Sequence, residues 1–208
     1  MEKELIFAGT DEGQVLDEIL KHLQLPIEAV DYQVTEEDDK ELLPGAKPKL
    51  QVHARIRPEY IADKAMDHLV NILQILDVEA DLEYIDYEGI VLISITAPDD
   101  ASLLIGKDGQ NIDALQYLIS RVVLRHNREA PMLVIDVEEY RCRKFDKLKD
   151  LADRAVNRAR QSGNEIELSP LPALERKFIH HYLGLEKGIQ TFSRGEDPQR
   201  YVFLFAEE

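Results

Sequence analysis

The 208-residue sequence has one cysteine, Cys142. A single thiol excludes an intrachain disulfide and fits a reducing compartment. No apolar run approaches the roughly 20 residues that a bilayer span needs. The opening residues, Met1-Glu2-Lys3-Glu4, lack the basic segment and apolar stretch of a secretory signal. The expectation is a soluble, cytoplasmic protein without a membrane span. Catalytic patterns are also lacking. There is no H-E-x-x-H, no P-loop and no dinucleotide fingerprint. His53, His68 and His126 are scattered, and Cys142 has no general base near it in sequence. No catalytic residue, metal ligand or cofactor is assigned.

Excess positive charge is missing as well. The formal net charge is −16, which disfavours nonspecific binding to nucleic acid. That acidity is uneven. Residues 1–100 hold 8 Lys/Arg against 24 Asp/Glu, whereas residues 101–208 hold 17 of each. From Arg121 to Arg160, 11 basic residues outnumber 7 acidic ones. A local basic face is therefore available despite the global balance. Hydrophobic content of 44% is enough for packed cores.

The periodicities divide the chain into three segments. In residues 1–56, Leu5-Ile6-Phe7 reads as a short strand. Val15, Leu16, Ile19, Leu20 and Leu23 read as a helix capped by Thr10 or Asp11 and stopped by Pro26. Ala29 to Val34 and Leu50 to Ile56 read as strands around an acidic loop, Glu36 to Glu41, and a Pro44-Gly45 turn. The order is βαββ. In residues 57–137, Pro58 opens a helix, a hairpin turns near Glu88-Gly89, and a short apolar turn, Leu103–Ile105, leads into a second helix. Ile112, Leu115, Ile119 and Val122 mark that helix's buried face. Met132 to Val137 is a last strand. In residues 138–208, a long helix from Glu139 to Ser162 carries Phe145, Leu148, Ala152, Ala155 and Ala159 on its apolar stripe. A short strand, Glu165 to Leu168, a helix ending at Gly184 and two closing strands follow. The fold class is α+β.

Two motifs carry chemistry. The first is Leu104-Ile105-Gly106-Lys107-Asp108-Gly109-Gln110-Asn111, a glycine-x-x-glycine loop opening a helix. Glycines let a phosphate approach the backbone, and helix N-terminal amides attract anions. Lys107 adds a charge, and Asp108 opposes it. Tyr117, Arg121 and Arg125 share a stripe of the following helix, and Arg121 could extend the groove. The second motif is Arg176-Lys177-Phe178-Ile179-His180. Leu174, Phe178, Ile179, Tyr182 and Leu183 fall on one half of the helix. Arg176, Lys177 and His180 fall outside that arc and are expected to meet solvent or a ligand. The helix before this motif is rich in Arg and Lys but carries Asp146, Asp150 and Asp153 as partners, so it reads first as a salt-bridged surface helix.

With these motifs placed, the whole chain resembles the Jag family of bacterial RNA-binding proteins, also called KhpB or EloR. The stretch Leu104 to Leu118 follows that family's KH signature, and Glu175 to His180 its Arg-x-x-x-His signature. Ser193 to Val202, with Arg194 and Arg200, resembles the closing hairpin. The resemblance implies a Jag N-terminal domain (1–56), a type II KH domain of α-β-β-α-α-β order (57–137) and an Arg-x-x-x-His domain (138–208). It implies RNA contact at Gly106 to Gly109, Arg176 and His180, a role in cell elongation or division, and a small single-domain KH protein as partner. Single-stranded RNA is the expected ligand, and a homodimer is a further partner expectation. The rival readings are a protein-interaction adaptor and a duplex-DNA-binding or ribosome-associated factor. Asp108 departs from the two basic residues such loops often carry. Gly45-Ala46-Lys47-Pro48 keeps only part of the Jag motif, without its phenylalanine and paired lysines.

Overall fold

A computed structural model describes residues 4–36, 50–124, 127 and 129–207. The acidic run after Glu36, the Pro44-Gly45 turn and Arg125 lie outside the described residues. The chain divides into two compact units, one running up to Glu138 and the other from Glu139 onward. The boundary drawn in sequence at residue 56 falls inside the first unit, which holds two separate sheets.

The first sheet has the order β1-β3-β2, all antiparallel, with β1 Leu5–Gly9, β2 Val30–Glu36 and β3 Leu50–Ile56. Helix α1, Glu12–Leu23, covers it. Asp11 caps α1 by accepting from the Gln14 amide at 3.0 Å, which satisfies one of the amides a helix start leaves open. Val15, Ile19 and Leu23 recur at helical spacing, and all three are buried, as are Val52, Ala54 and Ile56 of β3. The chain leaves α1 through Gln24 in the left-handed region, two residues before Pro26.

The second sheet has the order β4-β5-β6, with β4 Asp81–Tyr87, β5 Ile90–Thr96 and β6 Leu133–Val137. The β4–β5 hairpin is antiparallel, and β6 runs parallel to β5. Parallel neighbours need a crossover. That crossover consists of α3 (Ala101–Ile105), the glycine loop and α4 (Gln110–Leu124). Helix α2, Pro58–Ile75, packs beside α4 and against β5. Strands β5 and β6 are almost continuously buried, as apolar strands covered by helices must be.

One residue on α4 departs from the sequence pattern. Val122, expected in the core, is 40% exposed, and Gln116 is buried instead. The Gln116 amide donates to the Leu133 carbonyl at 2.9 Å and accepts from the Ile135 amide at 2.8 Å. Strand β6 is at the edge of its sheet, so Gln116 supplies the pairing that a neighbouring strand would have given.

The second unit packs α5 (Cys142–Ser162) and α6 (Ala173–Gly184) on a sheet of order β7-β9-β8. Strand β7 is only Ile166–Glu167, shorter than expected. The other two are β8, Ile189–Arg194, and β9, Tyr201–Ala206. Helix α5 starts three residues later than expected because Glu138 and Glu139 have positive φ and turn the chain first. Phe145 of α5 stacks on Phe178 of α6 with ring centroids 4.1 Å apart, and both rings are buried. Burying each ring contributes about 2–3 kcal/mol. The ion pair of Lys144 with the largely buried Glu175, 2.6 Å, also joins α5 and α6.

Candidate nucleic-acid interface

The first candidate site is the glycine loop on the β5–β6 crossover. Gly106 ends α3 with φ +73, and a Cβ there would lie 2.6 Å from Asn111 Cγ and 2.9 Å from the Asn111 backbone nitrogen. Only glycine fits that approach without displacing the start of α4. Gly109 is buried and also has positive φ. Asp108 sits in the left-handed region at φ 53, which Asp tolerates better than most residues. Lys107 and Asp108 are exposed, and so is Gln110 at the start of α4. Asn111 donates to the Leu103 carbonyl at 2.7 Å and braces the loop from behind. Leu104 is buried beneath it, and Ile105 is half-buried. Beside the loop, Leu76, Leu103, Leu104, Ala114, Leu115 and Leu118 line an apolar hollow of about 300 Å³. Farther along α4, Tyr117 is 64% exposed, and Arg121 donates to its hydroxyl at 3.2 Å. An exposed backbone turn, one lysine and an apolar hollow together suit a sugar-phosphate backbone with an unstacked base beside it.

The second site is built on α6 and the β8–β9 hairpin. Its geometry corrects one expectation. Arg176 does not meet solvent: it is 6% exposed. Its Nη1 donates to the Leu171 carbonyl at 2.6 Å and to Asp197 Oδ1 at 2.7 Å, and its Nη2 donates to Asp197 Oδ2 at 3.3 Å. The helical arc placed Arg176 off the apolar half of α6, correctly, but the hairpin turn covers that side. Asp197 is the residue that sequence reasoning missed. Its partner is 21 positions away, and no periodicity links them. The Arg176 hydrogen bond holds the Asp197 carboxyl below the ordinary carboxylate range, with the charges of Arg176 and Arg200 adding to the effect.

His180 is half-buried between α6 and β8. Its Nδ1 lies 2.8 Å from Thr191 Oγ1, and its Nε2 lies 2.8 Å from Ser193 Oγ. Burial, then the charges of Arg176 and Arg200, lower its pKa below the usual 6.5. The ring is therefore neutral at pH 7, with one nitrogen donating and the other accepting. Lys177 is exposed on α6. Gly195 turns the hairpin at φ +95, where a Cβ would lie 2.5 Å from the Gln199 carbonyl oxygen. Arg200 is half-buried, and its Nε is buried without a hydrogen-bond partner among the described residues.

Arg194 lies on the other face of the sheet. It follows Ser193, whose side chain turns inward to His180, so strand alternation points Arg194 outward. There its guanidinium sits 4.4 Å from the Phe192 ring centroid and 4.7 Å from that of Phe203, and it pairs with Glu165 at 2.8 Å. The structure thus gathers Arg176, His180 and Arg200, and separates Arg194 from them. Among the described residues, no group of His, Cys, Asp and Glu is arranged to hold a metal ion. No described helix is long and apolar enough to cross a membrane.

A helix-flanked glycine loop on one unit and an Arg-x-x-x-His hairpin site on the other define a tandem-module α+β protein. The KH domain model of KhpA and KhpB matches residues 61–135, and the model of the Arg-x-x-x-His domain matches residues 146–206. The chain is 30% identical over 207 residues to the RNA-binding protein KhpB of Clostridium symbiosum, covering 98% of this chain and 91% of that one. It is 29% identical to the RNA-binding protein KhpB of Bacillus subtilis, covering 95% of each. With KhpB of Lactiplantibacillus plantarum it shares 34% identity over 74% of this chain, which spans 48% of that longer protein. The chain belongs to the KhpB (Jag) family.

Proposed function

We propose that this protein binds single-stranded RNA without catalysing a reaction, in the cytoplasm, through its KH and Arg-x-x-x-His modules. The observation that carries the reading is the glycine loop, where an exposed, lysine-bearing backbone turn opens α4 beside an apolar hollow. Relatives similar over nearly the whole chain are named RNA-binding proteins, which supports it. The KH loop would hold phosphates through backbone amides and Lys107. The recess around His180 would hold a second stretch, and tethering two weak modules raises the local concentration of the second. A three-domain organisation, with residues 1–56 as a further module, belongs to the same reading. So do a role in cell elongation or division and pairing with a small single-domain KH protein.

The test is fluorescence anisotropy of a labelled single-stranded RNA pool with the full chain. Duplex DNA and duplex RNA serve as competitors. Displacement by unlabelled single strands well before either duplex supports the reading, and equal displacement by duplex contradicts it. A protein-interaction adaptor is the second reading. Asp108 in the loop and the closed Arg176–Asp197 pair favour it, because both oppose phosphate contact.

A further inference from the structure

The recess of the Arg-x-x-x-His module contains two guanidinium groups, and they are in opposite states. Arg176 is 6% exposed, and both of its terminal nitrogens are engaged by the Leu171 carbonyl and the Asp197 carboxylate. For Arg176 to take a phosphate it would have to release that carboxylate and open the hairpin turn. Arg200 stands three residues beyond Asp197, just before β9. Its Nε is buried and unpaired. An unpaired buried donor is costly, and a phosphate that draws the half-buried guanidinium outward would relieve that cost. Two observations place Arg200 in the recess. Strand alternation sets it on the same side as the buried Val202, the side from which Ser193 reaches His180. The Leu171 amide also donates to the Arg200 carbonyl at 3.4 Å, beside the Leu171 carbonyl that Arg176 holds.

We propose that Arg200, not Arg176, is the guanidinium of this module that meets a backbone phosphate of single-stranded RNA, and that Arg176 is a positioning residue. The Arg176–Asp197 pair latches the turn that delivers Arg200. His180, held by Thr191 and Ser193, forms the wall against which Arg200 is set. Arg194 does not compete for this role, since it lies on the opposite face of the sheet and is paired with Glu165. This inference rests on the RNA-binding reading above.

The experiment measures Kd for a labelled 20-nucleotide single-stranded RNA pool over a KCl series, using the full chain. Parent, Arg200→Gln and Arg176→Gln are compared, each with its thermal midpoint. Arg200→Gln is expected to weaken binding about tenfold. It is also expected to flatten the log Kd against log[KCl] slope by about 0.7, the value for one single-strand phosphate contact. Its midpoint is expected to stay at that of the parent. Arg176→Gln is expected to lower the midpoint and keep the parental slope. A second measurement uses the unmodified sequence. In the NMR spectrum of the 15N-labelled protein, the Arg200 Nε–Hε resonance is expected to move on RNA addition while that of Arg176 stays in place. An Arg200→Gln slope equal to the parent's, or movement of the Arg176 resonance alone, overturns the proposal. A parent with no salt-dependent binding at all overturns the RNA-binding reading itself. A parent that binds with a salt slope untouched by Arg200→Gln overturns only the role of Arg200.

Discussion

The glycine loop and the Arg-x-x-x-His recess, the two proposed RNA contacts, are built by opposite means. The loop presents a turn with Lys107 and Asp108 exposed, while Gly106 makes room for Asn111, the side chain that fixes the turn from behind. The recess presents side chains, and most of them are already committed. Arg176 is locked to Asp197, and His180 is held at both nitrogens. The comparison teaches that a motif residue can matter to a site without touching its ligand. On the proposed reading, the loop's motif residues form the binding surface. In the recess, on the same proposal, the motif residues hold a hairpin in place and the hairpin supplies the contacting group.

The largest effect that separates the two is expected from Arg176→Ala. It removes three hydrogen bonds and leaves Asp197 and the Leu171 carbonyl without them. A fall of about 5 °C in the thermal midpoint by calorimetry is expected. Gly106→Ala comes next. Its Cβ would strike the Asn111 backbone nitrogen, and the positive φ disfavours alanine. About 1–2 kcal/mol of stability is expected to be lost, read from urea melts, together with about tenfold in RNA affinity. This variant harms binding through the loop itself, whereas Arg176→Ala harms it through the fold.

A pH titration of stability sharpens the contrast. The folded-state pKa of His180 is lowered, so between that value and the ordinary 6.5 the unfolded chain binds more protons. Stability is therefore expected to fall as pH drops below about 6.5, and His180→Gln should remove that part of the profile. Asp197 adds a second loss on further acidification, below the usual 3.8, because its folded pKa is also lowered. The smallest effect belongs to Asp108→Asn. It keeps a residue tolerant of the left-handed region and removes a carboxylate from the loop. Affinity for single-stranded RNA is expected to rise about threefold at low salt by anisotropy.

Much of the fold was legible in the sequence because its signals are local. Asp11 and Pro58 mark helix starts, Gly163 a helix end, and the alternation of Leu50 to Ile56 marks β3. The glycine loop was equally legible, since Gly106, Gly109 and the following helix are contiguous. What escaped was long-range. Gln116, a polar residue between Leu115 and Tyr117, pairs with an edge strand 17 and 19 residues away, which no local pattern announces. Asp197 looked like part of a turn, and its buried partner sits on another element. A helical wheel reports which residues avoid the apolar stripe. It does not report what the rest of the chain lays over them.

The measurement that bears most directly on the account is the salt dependence of single-stranded RNA binding by the full chain. Phosphate contacts release counterions, so log Kd is expected to rise linearly with log[KCl]. Contacts in both modules, one charge in each from Lys107 and Arg200, predict a slope of about 1.4 or more. They also predict that Gly106→Ala and Arg200→Gln each remove part of it. Binding that is absent, or a slope near zero, would contradict the account.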